Sequence, residues 1–194
     1  NMYVPLLLVL PAPFFAQDYT SGPEYFRDTS PVVSDADKTD LATANLEFAF
    51  KAYKILACGS DSQNNNVVFS PISISLAFAM LYAGARSTSA ADIARVMHYD
   101  ALSSDATLHM AYNHLDLELQ SRSAEGHAWD RVSLPKLEIS NAVWTQQGQP
   151  LVAEFVQLLS EQYGASPRSI DFTTDKPQAV DIINRWCAEE THGL

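Results

Sequence analysis

Nineteen consecutive uncharged residues, Val67 to Ala85, constrain this chain more than any other feature of its sequence. A membrane-crossing helix needs about 20 apolar residues without a break. Ser70-Pro71 interrupts this run, because proline inside a helix removes a backbone donor and clashes with the preceding turn. Val67-Val68-Phe69 is β-branched and aromatic, which predicts a short strand. Ser73 can cap the helix that follows through Leu76, Phe78, Met80, Leu81 and Tyr82 to Gly84. That helix is too short to span a bilayer, and being apolar on every side it belongs in the centre of a protein core.

Amphipathic helices surround this element. Thr39 and Asp40 supply cap chemistry for a helix whose Leu46, Ala49, Phe50, Tyr53, Leu56 and Ala57 share one face, with Gly59 as its stop. The polar residues 60–66 read as a loop. Ser89 and Asp92 have capping-box spacing before Ile93, Val96 and Met97, and Leu108, Tyr112, Leu115 and Leu119 make a fourth helix ending near Arg122. Leu137 to Gln146 reads as a strand closed by Gly148-Gln149-Pro150. Pro150 opens a fifth helix with Phe155, Leu158, Leu159 and Tyr163, stopped by Gly164. Ser169 to Phe172 is a short strand, and Pro177 opens a last helix with Ala179, Ile182, Ile183 and Trp186 on one face. Six helices with two or three strands and no repeat define an α+β class. The strands are too few to satisfy one another's edges, which implies that part of a sheet is missing.

Composition removes several function classes. The 23 acidic against 12 basic side chains give a formal charge of −11, unsuited to duplex nucleic acid or an anionic membrane as partner. Seven glycines, at 22, 59, 84, 126, 148, 164 and 193, form neither GxGxxG nor GxxxxGK[ST], so no phosphate loop or nucleotide cofactor is indicated. Cys58 and Cys187 are far apart and read as isolated thiols. Among the five histidines, 98, 109, 114, 127 and 192, the pair His109 and His114 is rotated off a shared helical face, and no HExxH occurs, so no metal site is expected. Asp116 and Glu118 point in different directions, and no GxSxG surrounds a serine. No catalytic residue is visible.

The ends are of a different character. Residues 1–17, NMYVPLLLVLPAPFFAQ, are uncharged and carry the apolar core length of a secretory signal peptide, predicting an extracellular protein. Residues 18–39 mix Pro, Ser, Thr and Asp without a period and read as a linker. The folded part is expected over 40–194, and the chain stops at Thr191-His192-Gly193-Leu194 directly after a helical pattern.

Three segments in order carry a family resemblance. NNVVFSPISISLAFAMLYAGARSTSAADIARVMHYD resembles the strand, helix B and helix C region of the serpins. LEISNAVWTQQGQPLVAEFVQLLSEQYGASPRSIDF is similar to the following sheet A strand, helix E and next strand. IINRWCAEETHGL resembles helix F with its Asn-x-Trp…Thr-x-Gly ending, and the wording YNHLDLELQSR and NAVWTQQGQP looks closest to bacterial members. Arg86 stands where the family often has glycine.

The resemblance implies the N-terminal half of a serpin fold: helices A to F, the first strands of sheet A and one sheet B strand, an incomplete domain. It further implies an inhibitor of serine proteases, with papain-like cysteine proteases a further target class, that acts as a suicide substrate. The cleaved reactive loop inserts into sheet A and distorts the protease. The reactive bond would lie outside these residues. Ser70 and Ser73 match the family's shutter serines, and Asn184, Trp186, Thr191 and Gly193 match the helix that crosses sheet A. The fourth helix has no lysine, so heparin is not an expected partner. A non-inhibitory carrier or chaperone serpin, and a short helical interaction module, are the alternative readings.

Overall fold

The computed structural model describes residues 2–3, 6–9, 25–58, 66–124 and 137–193. The stop at Gly59, the loop to residue 65, residues 10–24 and 125–136, and Leu194 lie outside the described residues. The chain divides into two compact units, residues 30–114 and residues 1–29 with 115–194.

In the 30–114 unit, helix α1 runs over Asp35–Cys58, α2 over Pro71–Gly84 and α3 over Ser87–Met97. A 3-10 turn, Tyr99–Ala101, leads to α4, Asp105–Ala124, whose first half belongs here. Helix α1 starts a turn before the Thr39-Asp40 cap that the sequence suggests, so residues 35–39 are helical and not linker. The reason is Ser34, whose Oγ accepts the Asp37 N–H at 3.1 Å and donates to its carboxylate. The face predicted to be buried also differs. Leu41 and Ala44 are buried, whereas Leu46, Phe50, Tyr53 and Leu56 are exposed.

Helix α2 is central, as its all-round apolar sequence requires: Leu76, Ala77, Ala79 and Met80 are buried. Pro71 occupies the first turn, where its missing N–H costs nothing, and Ser70, not Ser73, is the cap. Residues 66–70 form no strand among the described residues, correcting the sheet B strand expected there. Apolar β-branched residues make a strand only where another strand takes up their backbone groups, and Val68 is 83% exposed. Helix α3 starts two residues before the expected Ser89 cap, and Asp92 pairs with Arg95 at 2.8 Å.

An aromatic cluster closes this unit. Tyr99 packs edge-on against Tyr82 and Tyr112, with centroids 5.3 and 6.0 Å away. The Tyr112 hydroxyl donates to Asn45 Oδ1 and that of Tyr99 to the Ser75 carbonyl. His109 is buried beside Tyr82, and burial lowers its pKa to about 4 against a weaker opposing pull from Asp105.

The other unit is built on parallel strands. Strands β1 (Met2–Tyr3) and β3 (Leu137–Glu138) pair, and β2 (Leu6–Val9), β4 (Asn141–Gln146) and β5 (Arg168–Ile170) form a sheet in the order β2-β4-β5. The predicted strand 137–146 is thus two strands, interrupted at Ile139-Ser140. Among the described residues β4 has a strand on each edge. Leu6 to Val9 pairs with Asn141 to Trp144 on one edge, and Arg168 to Ile170 pairs with Trp144 to Gln146 on the other. The segment read as a signal core forms one of these edges, and a run of four apolar residues is compatible with a strand as well as with a leader.

Strand β4 has its four central residues buried. Alternation puts Ala142 and Trp144 on one face and Val143 and Thr145 on the other. Helix α5, Ala153–Tyr163, connects β4 to β5 and ends at Gly164 in the left-handed region at φ +61°, as its stop signal predicts. Helix α6, Lys176–Glu190, is capped by Asp175. Arg27 donates to Asp116 at 2.6 Å and Asp28 N–H to the Glu161 carbonyl, so this part of the linker stretch is tied to the second unit.

A serine pair and a helix laid on a sheet

Two groups of residues carry the functional expectations, one in each unit. The first is the serine pair at the start of α2. Ser70 is extended (φ −104°, ψ 100°), and its Oγ accepts the Ser73 N–H at 3.3 Å. The two hydroxyl oxygens lie 2.8 Å apart and share a hydrogen. Ser73 is 1% exposed. The pair follows from the local sequence: proline at the first helical position fixes the backbone so that the preceding serine faces the third N–H.

The second group is α6 on the β4–β5 sheet. Ala179 and Trp186 are buried against Ala142, Trp144 and Ile170, with Phe172, Ile182, Ile183 and Cys187 packed around them. Trp144 and Trp186 meet edge-to-face with centroids 6.1 Å apart. Arg168, the register partner of Trp144, holds its guanidinium carbon 5.4 Å from the Trp144 ring and 5.8 Å from that of Trp186. At the far end of α6, Ser140 Oγ donates to Glu190 Oε2 at 2.6 Å.

The residues marked by the sequence fall into place unequally. Trp186 is buried in the contact. Thr191 is buried too, with its hydroxyl donating to the Cys187 carbonyl at 2.7 Å. Gly193 closes the helix at φ +82°, its N–H on the Ala188 carbonyl at 2.7 Å, and His192 N–H bonds the Glu189 carbonyl. These two bonds form a Schellman ending in which His192 occupies the position that usually falls to glycine, at φ +53°. Asn184 is exposed on α6 and takes no part in the contact. Sequence reasoning missed Arg168. Only its register opposite Trp144, which the sequence does not show, gives it meaning.

Among the described residues no group of three or more His, Cys, Asp or Glu side chains is assembled for a metal ion. No described helix is long and apolar enough to cross a membrane.

A family model described as serpin (serine protease inhibitor) matches residues 43–194. The chain belongs to the serpin family. A serpin-like protein of Thermococcus kodakarensis is 33% identical over 162 residues, covering 84% of this chain and 35% of the relative. The leukocyte elastase inhibitor of Xenopus tropicalis is 29% identical over 154 residues, covering 79% and 37%. Among solved structures, human glycosylated kallistatin superposes with a TM-score of 0.64 at 28% identity, covering 82% of this chain and 40% of that one. Emu ovalbumin, at a TM-score of 0.60 and 21% identity, shares the fold. The wording reads as closest to bacterial members, and the Thermococcus kodakarensis relative is archaeal; the chain spans about a third of the length of the curated relatives it matches. At the level of the family this is a serpin, a partial one in extent, and the family is that of serine protease inhibitors.

Proposed function

We propose that this serpin sequence serves a suicide-substrate inhibitor of serine proteases, in which a cleaved loop inserts as a new strand into the sheet that contains β4 and β5. The observation that carries the reading is α6 lying on that sheet through Trp186 and Trp144. A helix fastened to a sheet by a few large side chains resists strand entry until it is displaced, and this sets a threshold for insertion. Ser70 and Ser73 are proposed as the pair whose shared hydrogen bond re-forms when the sheet parts. Trp186, Thr191 and Gly193 are proposed to place and terminate the covering helix, whereas Asn184, exposed on α6, is left without a proposed part in seating it. Loop cleavage is the protease's own chemistry: its serine oxygen bonds the loop carbonyl carbon, and the amine end of the peptide leaves with the proton. No residue of this chain need act as a catalyst.

The test uses the protein that carries this sequence together with its reactive loop. Incubated with trypsin-, chymotrypsin-, subtilisin- and papain-like enzymes, it is expected to give an SDS-resistant complex with at least one. Clean cleavage by all of them without any complex overturns the inhibitor reading in favour of a carrier or chaperone. Heparin is not proposed as a partner, although kallistatin has been crystallised in complex with it. On α4 the charged residues Asp105, Asp116 and Glu118 oppose the single described cation, Arg122.

Secretion belongs to the same proposal, with residues 1–17 as the signal, 18–34 as connecting chain and the serpin domain from the start of α1 at Asp35. Removal of the signal would take β2 away from β4. N-terminal sequencing of protein recovered from the medium is expected to start beyond residue 9. A mature chain that retains Leu6–Val9 would assign that segment to the sheet instead.

A further inference from the structure

We infer that Arg168 is a cationic latch: its guanidinium, stacked on one indole from the sheet and one from the covering helix, fastens α6 to β4 and β5. Three elements meet at this one side chain. Parallel pairing sets Arg168 beside Trp144 on neighbouring strands, so both project to the face on which α6 lies. Trp186 descends from α6 onto the same spot, edge-on to Trp144. The guanidinium lies over both rings, at 5.4 and 5.8 Å. Indole is the strongest aromatic partner for a cation, and arginine's flat, weakly hydrated group suits it better than an ammonium. Among the described residues no carboxylate pairs with this guanidinium, so the two rings are its partners.

The latch matters because the rest of the contact is slight. Of the residues of α6, only Ala179 and Trp186 are fully buried, Ile182, Ile183 and Cys187 partly so, and Val180 is 54% exposed. Trp186 and Arg168 thus fix the middle of the helix, and the Ser140–Glu190 hydrogen bond fixes its end. Loss of the cation is expected to free α6 before any other part of the unit. This inference stands on the packing of the 194-residue chain and holds whether or not the protein is an inhibitor.

Amide hydrogen exchange of the whole chain tests it. In Arg168→Met and Arg168→Gln, exchange over Asp181–Cys187 is expected to accelerate roughly 2- to 30-fold, the span of a cation–π contact from exposed to desolvated sites. Amides of α5 should change by less than about twofold, because no residue of α5 belongs to the cluster packed around Trp144 and Trp186. Arg168→Lys retains the charge and should stay closer to the parent than either neutral variant. Wild-type exchange over α6 in Arg168→Gln, equal acceleration in α5, or Arg168→Lys as fast as Arg168→Met would each overturn the latch. The unmodified protein gives an arm that does not depend on variants folding. Ring currents from two indoles must place the Arg168 Hδ resonances upfield of those of every other arginine, and resonances among the rest would overturn the inference.

Discussion

Trp144→Ala is expected to destabilise its unit by about 3–5 kcal/mol, the cost of deleting a large buried aromatic and leaving a cavity. Against a typical total stability of about 5–15 kcal/mol, that is enough to unfold much of the population. Trp144 is 1% exposed, lies on β4, which among the described residues is paired along both edges, and touches Trp186 and Arg168. Its removal takes away the largest of the sheet side chains on which α6 sits, leaving Ala142 and Ile170. Its indole N–H, buried without a hydrogen-bond partner, adds a second expectation. Trp144→Phe keeps a ring while removing an unsatisfied donor, so it should cost distinctly less than the alanine change. Urea unfolding followed by tryptophan fluorescence and far-UV circular dichroism checks both. Equal losses for Phe and Ala would mean that the ring's packing is not what holds this position.

The second large effect is acid sensitivity of the 30–114 unit through His109. Burial holds its folded pKa at about 4, below the 6.5 of an exposed imidazole. As pH falls below 6.5 the unfolded chain gains a proton that the folded one does not, so stability drops until pH 4, where both forms are protonated. The difference of about 2.5 pH units corresponds to roughly 3 kcal/mol. Asp37 and Asp171 are held below the usual carboxylate range by hydrogen bonds, from Ser34 and Ser103 and chiefly from Thr174, and their contribution is lost only on further acidification. Urea titrations at pH 7, 5.5 and 4.5 should therefore show a steep decline in the parent and a shallower one in His109→Gln. Parallel declines in the two proteins would remove His109 from the explanation.

Most of the helical scaffold could be read in the sequence, because capping residues, glycine stops and apolar spacing act over a few residues at a time. Gly164, Pro71 and Asp175 do locally what their chemistry dictates. The misreadings concern events that depend on distant chain. Val67-Val68-Phe69 has the composition of a strand but no ladder partner among the described residues, and no local signal announces the pairing of Leu6–Val9 along β4. The stripe Leu46, Phe50 and Tyr53 is amphipathic in pattern yet exposed. Sequence periodicity shows which face is apolar and not what lies against it. The candidate site divides in the same way. Ser70 and Ser73 are neighbours on one helical turn and Trp186 sits on a recognisable apolar face, so all three were visible. Arg168 was not, because its role arises from pairing between residues 24 positions apart.

The mass of the intact complex formed with a target protease tests the inhibitor proposal most directly. Loop acylation joins the protease serine to the loop carbonyl and releases no atom of the protease except the hydroxyl hydrogen. The expected mass is therefore that of protease and serpin together, less any cleaved C-terminal peptide that dissociates during denaturation. Recovery of free protease at full activity and unchanged mass, beside a serpin cut at one bond and heavier by one water in total, would contradict it.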